Sequence, residues 1–307
     1  MDNEKLPEQI QNKEKKTLRP VNPGAEKWLN RPVKCLDHGF VYLVDYLGDD
    51  SAIAQAARVS YGQGTKKVSE DRGLIRYLMR HRHTTPFEMC ELKFHCKMPI
   101  FVARQWIRHR TANVNEYSGR YSEMSDEFYL PNSAVLRKQS QGNKQGRSEE
   151  KLTSEQQAKV LQLFKEDYER QYKNYQESLN LGLTRELARI GLSVANYTQW
   201  YWKIDLHNLF HFLNLRLDNH AQYEIRVYGE AMARIVKDAF PLAYEAFEDY
   251  RLNAGNFSGP ELKLLRLLAK RWPIDKSSAR EIASINFRNK RETEEFLKKI
   301  DMLGLFV

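Results

Sequence analysis

The stretch from Cys90 to Arg110 reads CELKFHCKMPIFVARQWIRHR and joins the clearest strand of the chain to a helix. Apolar side chains alternate with polar or charged ones between Cys90 and Met98, which predicts a strand with one buried and one wet face. Pro99 ends this strand, and the residues after it have the apolar spacing of a helix. We therefore expect a half-buried sheet, followed by a helix that runs through the basic residues to Arg110.

Two of the three cysteines lie on the apolar face of this strand. Cys90 and Cys96 alternate in phase with the leucine and phenylalanine, which favours inert core thiols over nucleophiles because free cysteine buries readily. Cys35 stands alone, and the chain has neither a CxxC pair nor a histidine at zinc-finger spacing from a cysteine. This cysteine usage is typical of a reducing compartment.

Further strands and helices are predicted on both sides of this stretch. The segment from Val33 to Leu47 mixes β-branched and aromatic residues, which predicts a strand or a hairpin. A long amphipathic helix is predicted from Ser154 to Gly182, and its aromatic stripe is interpreted as core rather than as a surface for base stacking. The segment from Asp205 to Phe240 has a pattern that predicts two helices, with a break near Asn219 and a stop at Pro241.

Length and composition predict a globular protein with polyanionic partners. The chain has 307 residues, of which 41% are hydrophobic, so it can bury a sizeable core. Its net charge of +9 suits nucleic acid, a membrane surface or phosphorylated small molecules, and charge alone does not choose among them. No apolar run approaches the roughly 20 residues that span a bilayer, and the N-terminus lacks an apolar signal region. We therefore expect a cytoplasmic protein without a membrane contact.

Composition shifts divide the chain into three parts. Residues 1–30 are polar and rich in lysine and glutamate, which predicts a flexible N-terminal arm. Residues 31–254 form the main domain, in which 137–150 is almost free of apolar groups and is expected to be a mobile, unanchored surface loop. Residues 255–307 form a basic helical C-terminal extension. Its charge suits a nucleic-acid contact, but we favour the solvated face of a packing or oligomerisation helix.

The segment from Arg108 to Tyr121, RHRTANVNEYSGRY, concentrates groups that bind anions. Its arginine forks, a serine hydroxyl and a glycine that lets backbone N–H groups approach would suit phosphate oxygens. A solvated basic helix end with a turn at Ser118 and Gly119 explains the same residues, and spacing alone leaves both readings open. Glu116 fits either a ligand contact or a counter-ion of the arginines. No P-loop or dinucleotide-binding fingerprint is present.

Three histidines have structural or metal-binding interpretations. A single histidine such as His83 is more often a satisfied structural residue. His207 and His211 lie four apart on a predicted helix and have the spacing of a metal-ligand pair. No HExxH context or third ligand accompanies them, so no metal is expected.

These residues occur in a combination that resembles a known family. Arg108 to Tyr121 is similar to the signature of the flavin-dependent thymidylate synthases, a pattern of the form RHRxxSxNExSxRY. Supporting matches occur in the family's order, within Val33 to Tyr250: AARVS at Ala56 to Ser60, HxTPFE at His83 to Glu88, FVARQW at Phe101 to Trp106, and FLNLR and HAQYE within Phe212 to Glu224. Asn113 stands where the pattern has its first serine. Because asparagine also donates and accepts hydrogen bonds, we expect a tuned contact rather than a lost one.

The resemblance implies a fold, an assembly and a reaction. The fold would be that of the thymidylate-synthase-complementing proteins, an α+β structure with a curved antiparallel sheet flanked by long helices. Residues 31–254 would form the catalytic domain that binds FAD and dUMP, and the active sites would be shared between the subunits of a homotetramer. The reaction would be the reductive methylation of dUMP to dTMP. The carbon donor would be 5,10-methylenetetrahydrofolate, the hydride carrier FAD and the reductant NADPH, and nucleic acid is not expected as a partner.

The resemblance also assigns residues to each ligand by motif position. Those carried over to FAD binding are Ser60, Thr85, Arg108, His109, Arg110, Glu116, Asp205, His207 and His211. Those carried over to dUMP binding are Gln105, Arg108, Glu116, Ser118, Gly119, Arg120, Arg189 and Arg216. His83 and Tyr121 would lie near the flavin and folate rings. Arg216 would be the catalytic residue, since a guanidinium against the uracil would stabilise the negative charge that builds when C5 attacks the folate methylene.

Overall fold

A computed structural model describes residues 18–59, 68–142, 146–269, 275–304 and 306. Its centre is a five-stranded sheet with the order β1-β2-β3-β7-β4, in which all neighbouring strands are antiparallel. These strands are β1 (Val33–Cys35), β2 (Gly39–Leu47), β3 (Glu91–Pro99), β4 (Asn113–Glu116) and β7 (Tyr197–Asp205). The predicted α+β class with an antiparallel sheet is confirmed, as is the hairpin between Val33 and Leu47.

The covered face of the sheet is the centre of the core. Apolar side chains of β3 are buried at every second position, which confirms the predicted strand. Phe94 pairs with Trp202 and Cys96 with Trp200 across the β3–β7 ladder. Trp106 lies over this face, with ring centroids 5.4 and 5.3 Å from the two tryptophans of β7. Aromatic packing therefore holds the helix after β3 against the sheet.

Thirteen α-helices surround the sheet in the described residues. They are α1 (Pro23–Glu26), α2 (Asp50–Val59), α3 (Val68–Arg80), α4 (Thr85–Glu88), α5 (Ile100–Trp106), α6 (Ser154–Asn180), α7 (Arg185–Ala188), α8 (Leu206–Arg216), α9 (Tyr223–Ala239), α10 (Pro241–Phe247), α11 (Gly259–Ala269), α12 (Lys276–Asn286) and α13 (Lys290–Met302). The predicted long helix and the break before α9 are confirmed. Among the described residues, no helix combines the length and apolar character that crossing a bilayer requires.

The basic run after α5 is not helical. α5 ends at Trp106, and the backbone N–H of His109 donates to the carbonyl of Trp106 in the turn that follows. The prediction of a helix through Arg110 is therefore wrong. The physical reason is that the chain turns back to pair β4 with β7, where Asn113 lies opposite Lys203.

Residues 137–150 contain a hairpin rather than an unanchored loop. Its strands are β5 (Arg137–Gln139) and β6 (Arg147–Lys151), with residues 143–145 outside the described part. A guanidinium nitrogen of Arg147 lies 3.0 Å from the buried carboxylate of Glu224, and another donates to the carbonyl of Val135 at 3.1 Å. The expected lack of an anchor is wrong because the anchor is ionic, which apolar content does not reveal. The mobility of this segment stays a prediction.

Both ends of the described chain pack on the main domain. Asn22 and Ala25 are buried, so packing begins before the expected boundary at residue 30, while residues 1–17 lie outside the described part. At the other end, α13 contacts α3 through Glu292, whose carboxylate lies 2.6 Å from Arg76. Both of these charged side chains are buried. These ion pairs favour a packing role for α13, and the domain boundaries 31–254 and 255–307 stay predictions.

Candidate active site

A cavity of about 300 Å³ lies between the end of α3, α4, α8 and the π-helical segment Glu248–Leu252 that follows α10. We call it the histidine cavity, because three predicted site residues line it: His83, His207 and His211. Its other lining residues are Leu78, Met79, Arg82, Thr84, Phe87, Phe210, Asn214, Phe247 and Arg251. The Phe210 and Phe247 rings are stacked with centroids 4.4 Å apart. An apolar floor with polar groups above it suits a planar heteroaromatic ligand.

The start of α8 directs two of these histidines. The carboxylate of Asp205 accepts from the backbone N–H of Asn208 at 2.9 Å and from its side-chain amide at 2.7 Å. Asp205 therefore caps α8, and it is not among the residues that line the histidine cavity. His207 and His211 follow on the helix that this cap starts. In the described part of the chain, no group of three or more potential metal ligands includes them.

Arg216 and His109 are hydrogen-bonded beside this cavity. Nε of Arg216 donates to Nε2 of His109 at 3.1 Å, and a second guanidinium nitrogen donates to the backbone carbonyl of Gln105 at 3.4 Å. Burial, with smaller contributions from Arg216 and His211, lowers the pKa of His109 to about 4. Burial also lowers the pKa of Arg216. A neutral imidazole can accept the hydrogen bond and orient the guanidinium, and so the pair is stable at neutral pH.

A second group of predicted residues meets at the turn Ser118 to Arg120, which we call the Ser118 turn. The backbone N–H of Arg120 donates to Oγ of Ser118 at 3.3 Å. A Cβ atom on Gly119 would lie 3.0 Å from Cδ of Arg189, so only glycine lets Arg189 approach this closely. Arg120 pairs with exposed Glu186 at 2.9 Å. The turn thus presents a hydroxyl and two arginines, which suits phosphate.

Glu116 lies between these two groups in the sequence and pairs with neither. Its Oε1 accepts a hydrogen bond from Oγ1 of Thr198 at 2.8 Å. Within the part of the chain that the structure describes, Glu116 forms no ion pair, so the counter-ion interpretation is wrong. Arg108 and Arg110 are exposed on either side of His109. Their assignment to FAD and dUMP stays a prediction.

Several predicted site residues are not brought together within one chain. Tyr121 is 82% exposed and does not line the histidine cavity with His83. Thr84, and not the predicted Thr85, lines that cavity, and Ser60 lies outside the described residues. No hydrogen bond or ion pair among the described residues joins the Ser118 turn to the Arg216 pair. Within one chain, the candidate ligands therefore form two groups without a direct polar contact between them in the described residues.

Two arginines of the histidine cavity were missed by sequence reasoning. Arg82 comes immediately before the HxTPFE motif, of which only His83 and Thr85 were assigned to the site. Arg251 follows the last residue of the stretch that resembles the family, so no motif drew attention to it. A signal for Arg82 would have been its place just after a helix end, where glycine is common.

The antiparallel sheet, the histidine cavity and the Ser118 turn together define a class of protein. Residues 42–242 match the family of thymidylate synthase complementing proteins, and the chain belongs to that family.

Named relatives narrow the class further. The chain is 56% identical over 285 residues to the flavin-dependent thymidylate synthase of Ruegeria pomeroyi, with coverage of 92% of this chain and 93% of that protein. It is 59% identical over 253 residues to the enzyme of the same name from Gluconobacter oxydans, covering 81% and 83% respectively. The crystal structure of the UMP/dUMP methylase PolB from Streptomyces cacaoi, bound with 5-Br dUMP, matches with a TM-score of 0.65 at 33% identity. That match covers 72% of this chain and 99% of PolB.

Proposed function

We propose that this chain is a flavin-dependent thymidylate synthase, which methylates dUMP to dTMP. The observation that carries the proposal is the hydrogen bond between Arg216 and His109, 107 residues apart, next to a cavity lined by His83, His207 and His211. His83, His109 and Arg216 belong to the motifs that resemble the family, and the proposal is supported by the contact of Arg216 with His109 and by the cavity that His83 shares with His207 and His211.

The chain's own residues can bind dUMP and polarise it. Ser118, Arg120 and Arg189 supply the hydroxyl and the guanidinium forks that hold a phosphate dianion. In this proposal Arg216 lies against the uracil. Hydrogen bonds to neutral His109 and to the carbonyl of Gln105 orient its guanidinium. A fixed guanidinium in a partly dehydrated site stabilises the negative charge that develops on the uracil ring as its C5 becomes a nucleophile.

The histidine cavity fits the ring system of a flavin. Phenylalanines form its floor and imidazoles its polar edge, and its volume of about 300 Å³ accommodates one planar ring system better than a whole dinucleotide. We assign FAD as the flavin, with the remaining contacts from Ser60, Thr85, Arg108, Arg110, Glu116 and Asp205. The bound flavin supplies the hydride that turns the transferred carbon into a methyl group. In this proposal 5,10-methylenetetrahydrofolate donates the carbon and NADPH is the reductant.

The cysteines support a route without a thiol nucleophile. Cys35, Cys90 and Cys96 are all free and buried. Burial raises the pKa of Cys35 and of Cys90 to about 12, and raises that of Cys96 well above its ordinary value. A thiol is nucleophilic as its thiolate, so none of the three is activated. Three unpaired thiols also fit the cytoplasmic location that we propose.

We further propose a homotetramer in which different subunits complete each active site. Among the described residues of one chain, no hydrogen bond or ion pair joins the Ser118 turn to the Arg216 pair. Large apolar side chains beside Arg189 are exposed, including Leu187 at 50% and Ile190 at 78%. Exposed apolar residues next to a binding site indicate a surface that another subunit covers.

Mixing two inactive variants tests the shared site. Arg216→Ala disables one group and Arg120→Ala the other. When the two proteins are co-expressed, we expect mixed tetramers to regain part of the dTMP synthesis that each lacks alone. If activity stays absent in tetramers shown to contain both chains, the site lies within one subunit.

The activity is tested with the purified full chain. We expect a yellow protein that oxidises NADPH and forms dTMP from dUMP and methylenetetrahydrofolate. Arg216→Ala should keep its visible flavin spectrum but lose most turnover, whereas Arg31→Ala, on an exposed segment away from the site, should behave as the wild type. A colourless protein that cannot be loaded with FAD would contradict the proposal.

A further inference from the structure

The turn that ends α3 carries an arginine at a backbone position that favours glycine. The N–H of Arg82 donates to the carbonyl of Met79 at 3.3 Å, and the N–H of His83 donates to that of Leu78 at 2.9 Å. This pair of bonds defines a Schellman helix end, whose left-handed residue is usually glycine. Arg82 occupies that position with a φ of 60°. A residue with a Cβ atom is strained there.

The same chain uses glycine for the same motif elsewhere. At the end of α6 the N–H of Gly182 donates to the carbonyl of Leu179 at 2.9 Å, and that of Leu183 to Ser178 at 3.0 Å. Gly182 has a φ of 88°. The α3 end is therefore a strained version of a motif for which an unstrained version was available. Backbone strain of this kind is found at functional sites, which indicates that the side chain of Arg82 has a function.

The side chain of Arg82 lines the histidine cavity together with that of Arg251. A guanidinium nitrogen of Arg251 lies 3.5 Å from the carbonyl of Met79, the same carbonyl that accepts from the backbone of Arg82. Burial lowers the pKa of Arg251, and the charge of Arg82 lowers it further. The two cations are thus close enough to repel each other, and an anion placed between them would be stabilised.

No carboxylate of the described residues balances these two charges. Glu248 and Asp249, the acidic residues in the same π-helical segment as Arg251, have other partners. Glu248 lies 3.2 Å from Lys237, and Asp249 lies 2.6 Å from Arg76. In the described part of the chain, neither Arg82 nor Arg251 forms an ion pair. The cavity therefore has an uncompensated pair of guanidinium forks above its aromatic floor.

We propose that Arg82 and Arg251, on the wall of the histidine cavity, form an anion subsite for the dianionic end of a co-substrate that binds beside the flavin. Guanidinium forks bind carboxylates and phosphates in the bidentate geometry that lysine does not provide. The inference rests on the proposed function, in which two co-substrates have this chemistry. Methylenetetrahydrofolate ends in a glutamate dicarboxylate, and NADPH carries a phosphate monoester on its adenosine ribose. Arg251 lies beyond residues 42–242, the part of the chain that the family match covers.

Direct binding to the flavin-loaded full chain distinguishes the two sources. Calorimetry would compare folic acid with pteroic acid, which lacks the glutamate, and NADP⁺ with NAD⁺, which lacks the phosphate. We expect the wild type to bind the anion-bearing member of one pair about tenfold to a hundredfold more tightly, the usual value of a charge-assisted hydrogen bond. The pair that shows this preference identifies the co-substrate.

The variants Arg82→Gly and Arg251→Gln should lose this preference. Arg82→Gly removes the guanidinium without straining the fold, because glycine suits the left-handed backbone. This variant should melt at the same or a higher temperature than the wild type. Arg82→Lys should recover part of the preference. Arg31→Gln removes one exposed positive charge elsewhere and should bind all four probes as the wild type does.

Three results would overturn the subsite. The first is a wild type that binds folic acid no more tightly than pteroic acid and NADP⁺ no more tightly than NAD⁺. The second is a preference for the anion-bearing ligand that stays unchanged in both Arg82→Gly and Arg251→Gln. The third is loss of bound flavin from Arg82→Gly, which would assign the anion to the cofactor's own pyrophosphate. If the wild type shows the preference but forms no dTMP, the proposed function fails while the anion subsite stands.

Discussion

Nε of Arg216 lies 3.1 Å from Nε2 of His109, so a neutral ring and not a carboxylate orients this guanidinium. A carboxylate partner would cancel the positive charge that the uracil is proposed to meet. A neutral imidazole accepts one hydrogen bond and leaves that charge in place. The guanidinium of Arg216 is therefore held in a fixed orientation and keeps its full positive charge for the substrate.

The neutrality of His109 predicts a pH dependence of stability. Its pKa is about 4 in the folded chain and 6.5 as an ordinary histidine, so the unfolded chain takes up the proton first as pH falls. The free energy of unfolding should decrease as pH is lowered from 6.5 to 4, by at most about 1.4 kcal/mol per pH unit from this group. Urea unfolding at several pH values would measure the slope. His109→Gln should have a shallower slope, and identical slopes would contradict the pKa shift.

Gly119 predicts a steric effect on dUMP binding. In Gly119→Ala the new Cβ would lie 2.8 Å from Sδ of Met124 and 3.0 Å from Cδ of Arg189, so Arg189 must move. We expect dUMP to bind about tenfold more weakly, because one charge-assisted phosphate contact is weakened. Calorimetry with 5-bromo-dUMP would measure it. Gly191→Ala, where no atom lies within 4 Å of the added Cβ, is the matched control and should bind normally.

The buried thiols predict that catalysis survives their removal. Cys90→Ala and Cys96→Ala should each retain dTMP synthesis, since burial keeps both groups as thiols. Each substitution leaves a small cavity and should cost about 1 kcal/mol of unfolding free energy. Turnover and thermal melting of the FAD-loaded variants are the measurements. A stable, flavin-loaded variant without activity would argue for a thiol mechanism.

The contact between α3 and α13 predicts a large and specific loss of stability. Arg76 and Glu292 are 4% and 2% exposed at their side chains and lie 2.6 Å apart. Glu292→Ala leaves Arg76 with fewer partners in a buried site and should cost about 3 kcal/mol, near the lower limit for breaking a buried pair, because Glu245 and Asp249 remain.

Chemical unfolding of full-length variants would test this contact. Glu294→Ala is the matched control, because Glu294 lies on the same helix but pairs with Arg280 on the exposed surface. This substitution should leave the unfolding midpoint unchanged. Equal midpoints for the Glu292 and Glu294 variants would show that α13 does not stabilise α3.

The candidate site was partly predictable from the order of residues. His83, His207 and His211, which the resemblance singled out, meet in one cavity, while the assignment of residues to FAD and dUMP stays a prediction. Thr84 lines this cavity and Thr85 does not, while the assignment of Thr85 to FAD stays a prediction. The place of Arg251 in the cavity could not be predicted. It depends on how α10 and the π-helical segment after it pack against α3.

Local patterns were sufficient wherever neighbours in sequence decide the conformation. The alternation from Cys90 to Met98 determines β3, because side chains of a strand point to opposite faces in turn. Gly182 and Pro241 likewise mark the ends of α6 and α9. Tertiary structure alone decided that the helix after β3 ends at Trp106, that Arg147 anchors its hairpin, and that Arg216 meets His109. Such contacts join residues tens to hundreds of positions apart, and their free energy appears only when the chain has packed.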